Sequence, residues 1–299
     1  MTRFLLLLAC LACAATVSAP AVDAQSRPRP GQEVVLVTGS TSGLGREVAH
    51  RLGATGAFVI VHGRNRERGI EVVEEIESRG IGNARFYAAD FSSFAQIREF
   101  GETILRDYDR LDVLVNNAGF GRAPDERMVS QDGHELRLQV NHLSHFLLTR
   151  MFLPRLRANA PSRIVNVSSG AQQAIDFDDV MIENNFSGGR AYSQSKLAQI
   201  MFTFDLAEEL AGTDVVVNAL HPATYMDTGM VRRAGLTPRA TVGEGADAVM
   251  HLITSPDIGS GGYFNRMQSA RADGQAYDEE ARKKLRMLSE ELTGAPTIL

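Results

Sequence analysis

The chain has 299 residues, of which 44% are hydrophobic and 22% charged. This ordinary globular composition is long enough for one large domain with a sizeable core plus extensions. The formal net charge of −5 disfavours nucleic acid or an anionic membrane surface as the main partner, so a small soluble ligand is expected. Both cysteines, Cys10 and Cys13, stand near the start, which leaves the rest of the chain without a disulfide, a thiolate metal site or a cysteine nucleophile.

The first element is an apolar leader. Residues 4–22 carry no charge and include a stretch as long as a signal-peptide hydrophobic region, and Val22-Asp23-Ala24 supplies small residues for cleavage before Gln25. The same segment just reaches the roughly 20 residues that an uncleaved membrane anchor needs. Two locations therefore stay open, export or anchoring with the main domain facing the cytosol, and any membrane contact is expected through this segment. We take residues 1–30 as leader and linker outside the fold, and residues 31–299 as one domain.

Short apolar runs alternate with longer amphipathic stretches from residue 33 onward. Continuous apolar runs are typical of strands buried on both faces, and their alternation with helices implies right-handed crossovers. We therefore predict a single-domain α/β fold, a Rossmann-like doubly wound parallel sheet with helices on both faces. Its ligand would lie outside the carboxyl ends of the strands. The predicted strands are 34–37, 58–61, 86–89, 111–115, 163–167 and 214–220, and the clearest predicted helices are 93–108, 130–157 and 191–210.

A glycine-rich loop, Thr38-Gly39-Ser40-Thr41-Ser42-Gly43-Leu44-Gly45, leads from the first strand into a helix. Glycines here allow a tight turn and let backbone N–H groups approach a pyrophosphate at the positive end of a helix. Glycine-rich strand ends also occur for packing alone, so the loop favours a dinucleotide without specifying a reaction. The residues predicted to bind it are Gly39, Ser42, Gly43, Leu44 and Gly45.

The second strand ends at Val61-His62-Gly63-Arg64. An NAD site would place an acid here, about 20 residues beyond the glycine loop, to bind the ribose 2′-hydroxyl. Arg64 is available instead for charge-assisted bonds to a 2′-phosphate, with Arg46 as a candidate second cation. NADP(H) is therefore expected over NAD(H), although both arginines could also belong to a solvated helix start.

Two more predicted strands end in polar or small residues. Asp90-Phe91 follows the third strand, and Asn116-Asn117-Ala118-Gly119 follows the fourth. The small residues would let the chain pass close to a cofactor, whereas Asp90 could equally cap the next helix. The predicted cofactor contacts here are Asp90, Phe91, Asn117, Ala118 and Gly119.

Tyr192 and Lys196 stand four residues apart near the start of a helical stretch, so that phenol and ammonium share one face. A free tyrosine titrates near pH 10 and is a poor acid or base at neutrality. A cation about one turn away stabilises the phenolate and lowers the pKa of the phenol. Such pairs are frequent by chance, so this one gains its weight from the motifs before it.

Together these motifs resemble the short-chain dehydrogenase/reductase family, and within it the retinol-dehydrogenase-like branch, over nearly all of residues 33–299. The resemblance is carried by the T-G-x-x-x-G-x-G spacing of the glycine loop, by N-N-A-G, by an Asn-Ser-Tyr-Lys tetrad, and by residues 162–169, 175–179, 192–198 and 276–292. It implies a catalytic set of Asn141, Ser169, Tyr192 and Lys196.

The resemblance also implies a role for each residue. Ser169, rather than Ser168, would polarise the substrate carbonyl, and Tyr192 would exchange the proton. Lys196 would bind the nicotinamide ribose and tune Tyr192, while Asn141 would hold a water that passes protons to Lys196. Without that resemblance, Asn141 could be a helix-bending polar contact and Ser169 a turn hydroxyl.

The region after the sixth strand departs from the family. His221-Pro222-Ala223-Thr224 stands where much of the family has Pro-Gly, and Thr228 falls one place later than the usual threonine near the carboxamide. Pro222 and Thr224 are predicted to contact the cofactor, but this change puts the local contacts in doubt. Four apolar residues follow on a segment that is usually a mobile lid, and they favour a hydrophobic substrate unless they only pack a helix onto the body. They are Met226, Met230, Val231 and Leu236.

The expected function is reversible hydride transfer between a nicotinamide cofactor, NADP(H), and a carbonyl or alcohol substrate, without a metal. Resemblance alone implies a homo-oligomer. Two alternatives stay open at this point. One is a non-catalytic NADP(H)-binding sensor or scaffold on the same fold. The other is an extended-type sugar-nucleotide epimerase, for which a different glycine spacing and a larger substrate domain would be expected.

Overall fold

The computed structural model describes residues 27–295 and places all of the predicted strands in one sheet. The strand order is β3-β2-β1-β4-β5-β6-β7-β8, parallel throughout except for the pairing of β7 with β8. The strands are β1 (Val34–Val37), β2 (Phe58–Gly63), β3 (Asn83–Ala88), β4 (Val113–Asn116), β5 (Ser162–Val167), β6 (Val215–His221), β7 (Tyr263–Asn265) and β8 (Gln268–Ser269). The chain winds outward from β1 to β3 and then crosses back to β4, so the direction of winding reverses between β1 and β4. This switch point is where such sheets bind ligands.

Helices cover both faces of the sheet. They are α1 (Gly43–Ala54), α2 (Arg66–Ser78), α3 (Phe94–Asp107), α4 (Leu136–Leu138), α5 (Ser144–Ala158), α6 (Gly188–Glu209), α7 (Gly229–Arg233), α8 (Val242–Thr254) and α9 (Glu279–Thr293). Alternate residues of β1 face opposite layers: Val34 and Leu36 join the core under α3 and α5, and Val35 and Val37 join the core under α1 and α8. The predicted fold class, a doubly wound sheet buried on both faces, is confirmed.

Three local predictions differ from the structure. The short strands β7 and β8 were not predicted, because three and two residues are too few to show a periodic pattern. Residues 111–112 precede β4 instead of opening it, and the Asp112 carboxylate accepts from the Val34 N–H at 2.8 Å. The linker is not wholly outside the fold, since the Arg27 carbonyl accepts from Asn83 at 3.1 Å and Arg29 donates to the Ile81 carbonyl at 2.5 Å.

The helix predicted over residues 130–157 starts later and changes its winding. A turn with Gly133 at φ +88° precedes α4, and residues Gln139–Leu143 form a π-helical turn before α5 begins. Single π-turns inside α-helices are frequent at functional sites, and this one contains Asn141.

The predicted leader, residues 4–22, lies outside the described residues. Within residues 27–295, no helix is both long enough and apolar enough to cross a membrane.

Candidate active site

The glycine loop and the segment after β4 pack directly against each other at the switch point. Gly39 has φ +65°, and a Cβ there would lie 2.8 Å from the Ala118 Cα. A Cβ on Gly45 would lie 2.4 Å from both the side-chain nitrogen Nδ2 of Asn117 and the Gly39 carbonyl oxygen. Glycine is therefore required at both positions, and these two predicted cofactor segments form one surface.

The start of α1 differs from the other helix starts. Seven helices begin with a side chain that accepts from the first turn, and α5 continues directly from the π-helical turn, whereas Ser42, which precedes α1, makes no such bond. The seven capping residues are Asn65, Ser93, Glu135, Ser187, Thr228, Thr241 and Asp278. The first N–H groups of α1, from Gly43 to Gly45, are thus left for another acceptor at the positive end of the helix dipole. This arrangement fits the pyrophosphate of a dinucleotide.

His62, at the end of β2, connects the glycine loop to the segment after β3 that contains the predicted cofactor contacts Asp90 and Phe91. Its Nδ1 accepts from the Gly39 N–H at 3.0 Å, its Nε2 lies 3.2 Å from the Ala89 carbonyl oxygen, and its ring stacks on Phe91 at 4.2 Å. Burial lowers the pKa of His62 to about 4, so the ring is neutral and Nδ1 stays an acceptor. The sequence analysis missed this residue, because a histidine inside an apolar run looks like an ordinary core residue.

The two candidate phosphate-binding arginines have different surroundings. Arg46 bonds to Glu71 at 3.0 Å and also to Glu75. Arg64 is 71% exposed, and among the described residues its one ion pair is a 3.9 Å contact with Asp90. Two carboxylates therefore pair with the Arg46 guanidinium, whereas the Arg64 guanidinium has only the long contact with Asp90 among the described residues.

Ser169 and Tyr192 meet where β5 ends beside α6. Burial raises the pKa of Tyr192, and the Ser169 side chain lies close enough to the phenol to oppose this increase. Ser168 points elsewhere, since its hydroxyl donates to the Lys196 carbonyl at 2.7 Å. Of the two serines, the structure thus brings Ser169 to the tyrosine.

 
Lys196 lies about one helical turn beyond Tyr192 on α6, and it is only 4% exposed. The Nζ atom donates to the Val167 carbonyl at 2.9 Å and to the Gln199 Oε1 at 2.7 Å, and it lies 5.9 Å from the centre of the Tyr192 ring. Burial lowers the pKa of Lys196 to about 7. The charge that would tune Tyr192 therefore changes near neutral pH.

Asn141 lies on the π-turn, and three hydrogen bonds connect its side-chain amide to neighbouring residues. Its Oδ1 accepts from the Phe120 N–H at 2.6 Å, and its Nδ2 donates to the Ser195 hydroxyl at 2.8 Å and to the Phe120 carbonyl at 3.1 Å. The missing side chain of Gly119 leaves a space between Asn141 and Lys196, because a Cβ there would lie 3.5 Å from the Asn141 Oδ1 and 3.8 Å from the Lys196 Nζ. Asn141 thus ties the segment after β4 to α6 at the edge of this space.

The segment after β6 lies beside the glycine loop and beside the loop that continues from the N-N-A-G motif. A Cβ added to Gly43 would lie 3.3 Å from the Thr228 methyl, and a Cβ added to Gly121 would lie 2.7 Å from the Met230 side chain. Thr224 is exposed and bonds to the His221 ring at 3.1 Å, whereas Pro222 is buried. The threonine one place later than usual therefore lies beside Gly43 of the glycine loop.

Arg137 was also missed, since nothing in the local pattern distinguishes it from a surface arginine. It is fully buried, and its guanidinium donates to the Gly121 carbonyl at 3.0 Å, the Arg122 carbonyl at 3.1 Å and the Glu135 carboxylate at 3.1 Å, as well as to the Pro124 carbonyl. This residue holds the loop that continues from the N-N-A-G motif.

Comparison with known proteins gives consistent matches. A sequence profile of the family described as short chain dehydrogenase matches residues 33–238. Human retinol dehydrogenase 14 is 36% identical over 293 residues, which cover 88% of this chain and 86% of that protein. Human retinol dehydrogenase 13 is 35% identical over 294 residues, covering 90% of this chain and 87% of that protein.

Solved structures also match. A metagenomic short-chain oxidoreductase in complex with NADP aligns with a TM-score of 0.60 and 30% identity, covering 76% of this chain and 93% of its own. The landomycin C-6 ketoreductase LanV with bound NADP and rabelomycin aligns with a TM-score of 0.63 and 26% identity, covering 78% of this chain and 94% of its own.

Proposed function

Because the chain belongs to the short-chain dehydrogenase family, we propose that it is an NADP(H)-dependent oxidoreductase that interconverts a carbonyl and an alcohol, with Tyr192 as general acid and base. The observation that carries this proposal is that Ser169, Tyr192 and Lys196 lie together at the edge of the sheet where the uncapped α1 also begins. One hydroxyl pair, one buried cation and one anion-binding helix end are the groups that this reaction needs.

The residues divide the chemistry among them. In reduction, the Tyr192 hydroxyl donates its proton to the substrate oxygen while the Ser169 hydroxyl holds that oxygen in place. In oxidation, Tyr192 takes the proton back. The Lys196 ammonium favours the phenolate form of Tyr192, because opposite charges stabilise each other in a buried site. The bound nicotinamide supplies or accepts the hydride.

The described residues fit NADP(H). The free N–H groups of residues 43–45 would bind the pyrophosphate, Arg64 the 2′-phosphate, and Asp90 and Phe91 the adenine. Both solved relatives named above hold NADP. The remaining proposed contacts, on the nicotinamide side, are Asn117, Ala118, Gly119, Tyr192, Lys196, Pro222 and Thr224.

Asn141 is proposed to hold a water that returns protons to Lys196. The space beside Gly119 supports this role, since it lies between the Asn141 Oδ1 and the Lys196 Nζ. A proton leaving Tyr192 would then have a route toward solvent that does not cross the apolar core.

We further propose that the substrate is apolar. Met230 lies beside Gly121 of the loop after β4, whereas Met226 packs against Gly245 of α8 and the core. Flexible apolar side chains such as that of Met230 adapt to apolar ligands. The curated relatives are named as retinol dehydrogenases, and retinol is an apolar alcohol. Small, highly charged substrates should therefore be turned over more slowly than long-chain or polyene aldehydes and alcohols.

The proposed function is tested by following NADPH absorbance with the purified protein and a panel of aldehydes, ketones and alcohols. With the best substrate, Tyr192→Phe should lower kcat by about 10² to 10⁴ while the affinity for NADPH, measured by fluorescence titration, persists. Lys196→Ala should weaken both, because it removes the proposed ribose contact together with the charge that tunes the phenol. Near-wild-type kcat in Tyr192→Phe would contradict the mechanism and favour a non-catalytic NADP(H)-binding protein.

A further inference from the structure

The Lys196 ammonium has a protein partner that the proposed reaction does not use. Gln199, 1% exposed and less than one turn further along α6, places its Oε1 2.7 Å from the Lys196 Nζ. On its other side, the Gln199 Nε2 lies 3.0 Å from the Nδ1 of His145 on α5, which is also 1% exposed. Three buried polar side chains thus form a row between two helices.

The chemistry of the ammonium determines the direction of the first hydrogen bond in the row and the orientation of the Gln199 amide. An ammonium only donates, so Gln199 must turn its oxygen toward Lys196 and its NH₂ toward His145. The His145 Nδ1 lies 3.0 Å from the Gln199 Nε2 and also 3.0 Å from the Asn141 carbonyl oxygen, so its tautomer decides whether it accepts from the amide or donates to the carbonyl. We assign the tautomer with the ring proton on Nε2, in which Nδ1 accepts from Gln199.

The far end of the row reaches the cofactor loops. The His145 Nε2 lies 3.4 Å from the Oγ1 of Thr38, the first residue of the glycine loop. The same Thr38 oxygen accepts from the N–H groups of Asn117 and Ala118, both at 2.9 Å. The row consequently runs from the catalytic face of α6 to the point where the two cofactor loops meet.

We propose that Gln199 and His145 are positioning residues for Lys196, in which Gln199 holds the ammonium and His145 fixes the orientation of the Gln199 amide. Their relevance to catalysis rests on the proposed function, whereas the contact itself is a property of the free protein. The Gln199 Oε1 and the Val167 carbonyl would each accept one N–H of the Lys196 ammonium, which leaves the third N–H for the cofactor side.

Few other groups set the charge of Lys196. The titratable groups that face it are Tyr192 on its own helix and His145 on α5. β5 presents the Val167 carbonyl, and the segment after β4 presents Gly119 beside the Asn141 amide. No ion pair among the described residues includes Lys196, so the Gln199 oxygen should contribute much of the stabilisation of the charged form.

The chain permits a direct measurement, because it contains only three lysines: Lys196, Lys283 and Lys284. The full chain, labelled with [ε-¹³C]lysine and free of cofactor, should give three signals, and Lys196→Arg identifies the one to follow. The midpoint of its titration is then compared between the wild type and the variants, and the pH profile of kcat is recorded on the same proteins.

Gln199→Met keeps the side-chain length but removes the acceptor, so the Lys196 midpoint should fall by about one pH unit. Gln199→Glu places a carboxylate beside the ammonium, so the midpoint should rise. His145→Phe should shift it in the same direction as Gln199→Met, but less. The alkaline limb of the kcat profile should move with the midpoint in each variant.

Thr149→Val is the matched control. Thr149 lies one turn beyond His145 on α5, is fully buried, and accepts from the Asn116 amide at 3.0 Å without reaching Lys196. This variant should lose stability but keep the wild-type midpoint. Unchanged midpoints in both Gln199 variants would overturn the proposal. Shifted midpoints in a protein without NADPH-dependent turnover would support the contact and contradict only the proposed function.

Discussion

Arg64 and Arg46 show at the scale of single residues why the partners of a side chain matter more than its type. Arg46 is held by the carboxylates of Glu71 and Glu75, so its charge is already compensated. Arg64 is largely exposed, with a weak contact to Asp90. A ligand phosphate would therefore find its charge-assisted bonds at Arg64.

This difference gives a prediction on cofactor choice. Arg64→Asp should invert a preference for NADPH over NADH, because it replaces a cation by a carboxylate that suits a ribose 2′-hydroxyl. The loss for NADPH should be about 10- to 100-fold in kcat/KM. Arg46→Ala is the control and should change the NADPH to NADH ratio by less than about fivefold. Equal or better use of NADH by the wild type would contradict the role of Arg64.

At the scale of elements, the loop after the N-N-A-G motif depends on a helix that follows it in the chain. Arg137 on α4 donates to carbonyls of Gly121, Arg122 and Pro124, and its ion pair with Glu135 is buried, with side-chain exposures of 0% and 1%. A buried charge without its partner is costly, because neither water nor another group compensates it.

Arg137→Met should therefore lower the free energy of unfolding by about 3–5 kcal/mol. Urea denaturation measures this change. Arg232→Met, which breaks the exposed pair with Asp227, is the control and should cost at most about 1 kcal/mol. A loss of similar size in both variants would show that the Arg137 bonds do not stabilise the loop.

At the scale of the whole molecule, buried histidines link stability to pH. Burial lowers the pKa of His62 to about 4, and the pKa values of His142 and His145 to about 3. Between these values and about 6.5, the unfolded chain binds protons that the folded chain does not. Stability from these residues is thus fully present above about pH 6.5 and is lost as the pH falls through this window.

We expect the free energy of unfolding to fall by about 1.4 kcal/mol per pH unit for each buried histidine in the middle of this window. Urea denaturation at pH 5 and pH 7 measures the slope. His142→Leu should reduce the slope by the share of one histidine, because carboxylates titrate equally in both proteins. An unchanged slope would mean that the pKa of His142 is the same in the folded and the unfolded chain. Two further expectations from the sequence stay predictions, namely that the chain forms a homo-oligomer and that it begins with an apolar leader.

The sequence by itself determined the features that depend on short stretches of chain. Strand runs, the glycine loop and the Tyr192–Lys196 spacing all follow from steric and periodic preferences of neighbouring residues. Since parallel strands end at one edge of a sheet, motifs at successive strand ends were also expected to lie together. The structure brings them to one edge, and the family comparison agrees with that reading.

Only the tertiary structure decided which polar groups pair over long distances in the chain. Arg46 meets Glu75 because α1 packs beside α2, His62 meets Gly39 because β2 lies beside β1, and Gln199 meets His145 because α6 lies beside α5. Each pairing depends on the order of strands and on helix packing, which local patterns do not encode. The chemistry-bearing residues were therefore predictable one by one, whereas the hydrogen-bond network that sets their charges and positions was not.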